Sequence, residues 1–174
     1  MILVTGGARS GKSRLVVRSL ADRQEDVVYI ATGVESDDEM ARRIADHRRQ
    51  RPSSWLLIEE PIDLEGALAR ARDEPAVIVD CLTLWVSNLM ETHTDDEIRE
   101  FSDIACHKAA ARRATTIVVS NEVGSGLVPM DPLARRFRDL HGEVNQMWAR
   151  AADAAYLVVA GRAVALPDEG LIVG

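Results

Sequence analysis

Ile2-Leu3-Val4-Thr5-Gly6-Gly7-Ala8-Arg9-Ser10-Gly11-Lys12-Ser13 opens the chain with an aliphatic run, a glycine-rich turn and a lysine–serine pair at the head of a helical stretch. Gly6 through Ser13 satisfy G-x-x-x-x-G-K-[ST] in full. Glycines let backbone N–H groups curl around phosphate oxygens, and the helix that follows turns its positive dipole end toward the same anion. In this pattern Lys12 reaches the β- and γ-phosphates and the Ser13 hydroxyl ligates magnesium. A strand, this loop and a helix from about Gly11 to Ala21 fall in the order that phosphate binding needs.

Outward from the loop, β-prone runs recur at Ile2 to Thr5, Val27 to Thr32, Trp55 to Ile58, Ala76 to Asp80, Thr116 to Ser120 and Tyr156 to Ala160. Helical stretches lie between most of them. Ser36-Asp37-Asp38-Glu39 reads as a capping box, Ser36 with Glu39, for a helix running to about Gln50. Thr94-Asp95-Asp96-Glu97 repeats the pattern before a helix with Ile98, Phe101, Ile104 and Ala105 on its inner stripe. A last long helix carries Leu133, Phe137, Leu140, Val144, Met147 and Ala151 at helical spacing, a stripe for the sheet and in part for a subunit interface. From Gly161 onward the chain adds a small edge strand. Strands alternating with helices predict an α/β layer fold with a mainly parallel sheet, in which ligands sit beyond the carboxyl ends of the strands.

That rule selects the next candidates. Val77-Ile78-Val79-Asp80 ends a buried-looking strand in a carboxylate suited to holding magnesium, although an Asp there also serves as a turn or cap residue. Asn121 and Glu122 emerge on the same rim, where they sense the nucleotide, position an acceptor hydroxyl or shape the Gly124–Gly126 turn. Arg42, Arg43, Arg48, Arg49 and Arg51 concentrate positive charge in one segment, fit either for phosphate recognition or for a solvated helix face with internal ion pairs. His47 shares a helical face with Met40 and Ile44. Helical position alone favours a core or surface histidine, while a neutral imidazole beside phosphate-binding arginines is able to attack phosphorus.

Composition bounds the reading. The chain has 174 residues, 47% hydrophobic and 28% charged, which predicts one globular domain over residues 1–174. Its 21 basic and 28 acidic residues leave a net charge of −7, against a broad nucleic-acid-binding surface. No apolar run reaches the roughly 18 residues of a membrane span. Met1 leads straight into Ile2, Leu3 and Val4 without a basic leader, so a cytoplasmic protein is expected. Cys81 and Cys106 read as reduced thiols, and the histidines at 47, 93, 107 and 141 lack metal-type spacing, so no transition-metal site is expected.

With these residues in hand, the sequence resembles the bifunctional adenosylcobinamide kinase/adenosylcobinamide-phosphate guanylyltransferase family of cobalamin biosynthesis. The resemblance covers Ile2 through Ser13, Tyr29-Ile30-Ala31-Thr32, Asp38-Glu39-Met40, His47 ahead of Arg51-Pro52, and Asp80-Cys81-Leu82-Thr83. It continues through Ser120-Asn121-Glu122-Val123-Gly124, Leu133-Ala134-Arg135, Phe137-Arg138-Asp139 and Asn145-Gln146. It implies a P-loop NTPase-like, RecA-like α/β fold and two reactions. ATP or GTP phosphorylates the aminopropanol hydroxyl of adenosylcobinamide; GTP then donates GMP to that phosphate through a guanylyl-histidine, releasing pyrophosphate. The position matching the nucleophile is His47, with Lys12 as the second catalytic residue. The implied nucleotide contacts are Gly6, Gly7, Ala8, Arg9, Ser10, Gly11, Lys12, Ser13, Ala31, Thr32, Gly33, Arg48, Arg49, Gln50, Arg51, Glu59 and Asp80. Ser13 and Asp80 are the implied magnesium ligands, and a homotrimer is the implied assembly. Asn121-Glu122-Val123-Gly124 is not an Asn-Lys-x-Asp base-reading motif, so guanine preference comes from the resemblance.

Two other readings compete: a monofunctional kinase for another hydroxylated metabolite with a structural His47, and a slow nucleotide-regulated switch.

Overall fold

The structure is a computed structural model that describes residues 1–21, 26–35, 37–73 and 75–167. Its strands are β1 (Ile2–Thr5), β2 (Val27–Ala31), β3 (Leu56–Glu59), β4 (Ala76–Asp80), β5 (Thr116–Val119), β6 (Ala154–Val159) and β7 (Arg162–Leu166). The helices are α1 (Lys12–Ala21), α2 (Asp38–Gln50), α3 (Leu64–Arg70), α4 (Leu82–Leu89), α5 (Asp95–Ala110) and α6 (Pro132–Ala151). All seven strands form one sheet in the order β3-β2-β4-β5-β1-β6-β7. Among the described residues only β7, at the edge, runs antiparallel to its neighbour.

The central strands are aliphatic on both sides because both faces are covered, the situation of parallel sheets. Alternate residues divide the core. Leu3, Val28, Ile30, Val77, Val79 and Val118 pack against α3 to α6 on one face. Val4, Tyr29, Ile78, Ile117 and Val119 pack against Val16, Val17 and Leu20 of α1 on the other. Two buried tryptophans keep their indole N–H groups satisfied: Trp85 donates to Ile62 O at 2.8 Å and Trp148 to Ser102 Oγ at 2.9 Å.

The predicted elements recur with shifted ends. The capping box of α5 forms as read, Thr94 with Glu97. For α2 the cap is instead Asp37, whose carboxylate accepts from the Glu39 and Met40 amides, and Glu39 pairs with Arg43; Ser36 lies outside the described residues. Two helices went unread in the sequence. Helix α4 follows β4 after the single residue Cys81, so strand and helix merge into one apolar run with no turn signal between them. Helix α3 spans only 7 residues, too short for a periodic pattern. The α6 stripe also differs: Leu133 is 60% exposed, while His141 and Trp148 are fully buried. The apolar stripe and the buried face of α6 coincide only from Phe137 onward, where Phe137, Leu140, Val144 and Met147 join the core.

His141 anchors a polar cluster under the end of β5. Its Nε2 lies 3.0 Å from Asn121 O, an acceptor only, so Nε2 carries the proton; the ring stacks on Phe137. Burial holds its pKa below the ordinary histidine value, against the smaller opposing influence of the Asn121 carbonyl and Glu122. The unfolded chain therefore binds a proton below about pH 6.5 that the native protein refuses, so stability falls with pH there by up to about 1.4 kcal/mol per unit. Urea titrations from pH 7.5 to 5.0 are expected to show a shallower decline in His141→Gln than in the parent.

Candidate active site

The phosphate loop is held by contacts that demand glycine at two positions. Gly6 has φ +155°, and a Cβ there would lie 2.4 Å from Val158 O; Gly11 has φ +94° with Gly161 Cα 3.3 Å from the position of a Cβ. Gly161 N–H, in the β6–β7 turn, donates to Ser10 O at 2.8 Å, and Glu122 N–H donates to Gly6 O at 3.1 Å. Lys12 is buried, its Nζ donating to Gly7 O at 3.2 Å. Burial lowers its pKa, while Cys81 and Asp80 pull the other way.

Strand register sets the opposite wall. Glu59 of β3 and Asp80 of β4 both sit level with Ala31 of β2, so the two carboxylates stand at one height at the carboxyl ends of the strands flanking β2. Asp80 is the hub. Its Oδ1 lies 3.5 Å from Ser13 Oγ, and its Oδ2 accepts from the Tyr29 hydroxyl and lies 3.1 Å from His47 Nδ1. Burial, the largest influence on Asp80, pushes its pKa up, but the hydrogen bonds and charge of His47, the Tyr29 hydroxyl and Lys12 together bring it below the ordinary value. The Asp80 hydrogen bond is the largest influence on His47 and raises its pKa, against partial desolvation. With Nδ1 turned to Asp80, Nε2 is the ring nitrogen left for chemistry.

The arginine segment divides. Arg42 donates to Asp38 O and Arg43 pairs with Glu39, while Arg49 pairs with Asp46, all along the helix. Arg48 instead reaches Glu59 and Glu35, and the Arg51 guanidinium stacks 4.4 Å over the Tyr29 ring. The ion-paired helix face therefore holds for Arg42, Arg43 and Arg49, while Arg48 and Arg51 turn to other elements of the chain. Gln50 is exposed. Thr32 is fully committed to the protein: its N–H donates to Asp80 O, its carbonyl accepts from Asn88, and its hydroxyl donates to Cys81 O while accepting from Cys81 N–H. Gly33 gives Ile44 and Leu84 room, since a Cβ there would lie 3.2 Å from Leu84 Cδ1.

On the far rim, Asn121 is tied by its backbone: N–H to Thr83 Oγ1 at 2.8 Å, carbonyl to His141 and to Asn145 Nδ2 at 2.9 Å. Glu122 shapes its own turn by accepting from Gly124 N–H at 2.6 Å. Tyr29 is the site residue that the motif reading passed over. Its signals are an aromatic residue inside the otherwise aliphatic Val27–Ala31 run and its place in the Tyr29–Thr32 block of the resemblance.

A phosphate loop after the first strand of a parallel sheet, facing a strand-end carboxylate, defines a P-loop nucleotide-binding α/β protein. The fold is shared with solved structures of low sequence identity. PH0250 from Pyrococcus horikoshii OT3 superposes with a TM-score of 0.57 at 9% identity, over 95% of this chain and 84% of that one. An ATPase of a bacterial type III secretion system superposes with a TM-score of 0.53 at 14% identity, over 90% of this chain and 51% of that one. Residues 2–166 match the model of the family described as cobinamide kinase / cobinamide phosphate guanyltransferase. Relatives called bifunctional adenosylcobalamin biosynthesis protein are 39% identical in Pseudomonas aeruginosa (CobP; 97% of this chain, 98% of that one) and 42% identical in Salmonella typhimurium (CobU; 92% and 96%). A third, from Escherichia coli K12, is 41% identical over 92% of this chain and 96% of its own. The chain belongs to this family of enzymes, which joins a cobinamide kinase to a cobinamide phosphate guanyltransferase.

Proposed function

We propose that one site, built on the phosphate loop and the Asp80–His47 pair, carries both reactions on a corrinoid side chain. The supporting observation is the carboxylate between them: Asp80 turns Oδ1 to Ser13 and Oδ2 to His47. In the first reaction the loop amides and Lys12 hold the β- and γ-phosphates of ATP or GTP while the aminopropanol hydroxyl of adenosylcobinamide attacks the γ-phosphorus. In the second, His47 Nε2 attacks the α-phosphorus of GTP; the N–P bond forms as the bond to the bridging oxygen breaks, and pyrophosphate leaves. A phosphate oxygen of adenosylcobinamide phosphate then displaces the histidine, giving adenosyl-GDP-cobinamide and restoring the imidazole.

To Arg48 of α2 and to Arg51 at its C-cap this reading gives contacts with the triphosphate or guanosine, supported by their turning from the helix toward Glu59 and Tyr29. Ser13 Oγ and Asp80 Oδ1 are hard oxygen donors beside the loop and fit magnesium. When bound, magnesium supplies charge neutralisation of the triphosphate. Incubation with adenosylcobinamide and GTP, followed by mass analysis, is expected to show the corrinoid gaining first a phosphate and then GMP. Arrest at the phosphate indicates a kinase alone; no acceptor-dependent turnover indicates a switch.

The reading extends to one catalytic domain over residues 1–174, cytoplasmic and homotrimeric. One sheet holding all seven strands supports the single domain. No described helix is long and apolar enough to cross a membrane. Leu127, Val128, Met130 and Leu133 form an exposed apolar stretch leading into α6, which supports a subunit contact there. Sedimentation at assay concentrations is expected to give a trimer, and a fully active monomer removes the claim.

A further inference from the structure

We propose that Tyr29 is a positioning residue for guanylyl transfer, acting through Asp80 on His47 and through its ring on Arg51. The inference rests on the reading of His47 as nucleophile. Tyr29 lies in a central strand and is only 3% exposed. Tyr29 and Ala31 are two residues apart and share a face of β2, so the ring runs along the strand toward Asp80, which pairs with Ala31. Its hydroxyl donates to Asp80 Oδ2, the same oxygen that faces His47 Nδ1. The face of its ring carries the Arg51 guanidinium.

His47 and Arg51 are four residues apart at the end of α2 and its cap, hence on one side of the helix. Helix α2 buries no side chain fully. Its seating on the sheet near the site therefore depends on directional contacts: His47 to Asp80, Arg48 to Glu59, Arg51 to Tyr29, and Ile44 beside Gly33. Tyr29 makes one of these and bonds the same Asp80 oxygen as another. An aliphatic residue would fill the same core position without a buried hydroxyl that needs a partner, so packing alone does not account for a tyrosine. Deleting the hydroxyl removes one of the two donors on Oδ2, freeing the carboxylate to turn and the imidazole to lose its angle toward phosphorus. The Oδ1 side, toward Ser13, is less affected, so the two reactions respond unequally.

The test compares the full-length protein with Tyr29→Phe, which keeps the ring, and Tyr29→Leu, which removes it. Single-turnover labelling of the enzyme by GTP carrying α-phosphate label is measured alongside phosphorylation of adenosylcobinamide by ATP. Tyr29→Phe is expected to slow labelling about tenfold at saturating GTP, with half-saturation moved less than twofold and kinase turnover reduced less than threefold. Tyr29→Leu is expected also to raise the half-saturating GTP concentration. Labelling by Tyr29→Phe within twofold of the parent overturns the assignment, and so does an equal fall in both reactions, which is the mark of structural support alone. Failure of the parent itself to take up the label overturns the histidine reading and this assignment with it.

Discussion

His47→Asn is expected to abolish labelling of the protein by GTP carrying label in its α-phosphate. The geometry gives the reason. His47 Nδ1 is 3.1 Å from Asp80 Oδ2, which leaves the Nε2 lone pair for the proposed attack, and asparagine offers no nitrogen lone pair of comparable basicity. A phosphoramidate on histidine is labile in acid and comparatively stable in alkali, unlike an ester to serine, so the chemistry of the adduct can be read independently of its position. Label in the γ-phosphate is expected to leave no such adduct. Phosphorylation of the corrinoid hydroxyl should continue at a measurable rate in His47→Asn, because that acceptor attacks the γ-phosphorus directly. Persistence of the acid-labile α-label in folded His47→Asn protein would exclude His47 as the nucleophile.

Lys12→Ala is expected to lower both reactions by about a hundredfold or more, the scale on which a fixed cation stabilises developing phosphate charge in a water-poor site. Lys12 is 8% exposed, and its Nζ is held over the loop at 3.2 Å from Gly7 O, so the ammonium is fixed before the nucleotide arrives. On the proposed one-site reading both transfers use the same triphosphate cradle, and both should fall together. The contrast with His47→Asn, which separates them, is the diagnostic. Near-parental rates for both reactions in Lys12→Ala, with an unchanged thermal midpoint, would place the phosphates elsewhere.

How legible each part was in the sequence follows from the range of the interactions that make it. The phosphate loop is local: Gly6, Gly11, Lys12 and Ser13 act within one strand–turn–helix unit, and the spacing of their side chains is written in consecutive positions. Thr94 and Glu97 are legible for the same reason. Asp80 was found because a carboxylate closing an aliphatic run marks the end of a buried strand. The cap of α2 falls on Asp37 because neighbouring polar residues compete for the same free amides, and which of them is placed to accept depends on where the helix begins. Helix α4 was missed because Leu82, Trp85, Val86 and Leu89 continue the apolar composition of β4, which no local signal interrupts.

The sequence by itself determined that this chain is a parallel α/β protein with a phosphate loop after its first strand, a carboxylate ending a later one, and an arginine-rich helix whose histidine matters by resemblance. Only the tertiary structure decided which arginines face the sheet, that Asn121 is tied by its backbone, and that Tyr29, His47 and Ser13 converge on one carboxylate. These partners lie between 33 and 67 residues from Asp80 in the chain. They meet because β2 and β4 pair in a register that sets Ala31 beside Asp80, and because α1 and α2 return over the same sheet ends. Periodicity along a chain encodes which way a side chain points from its own element. Which side chain it meets depends on strand order and register, set by burial of the whole sheet at once.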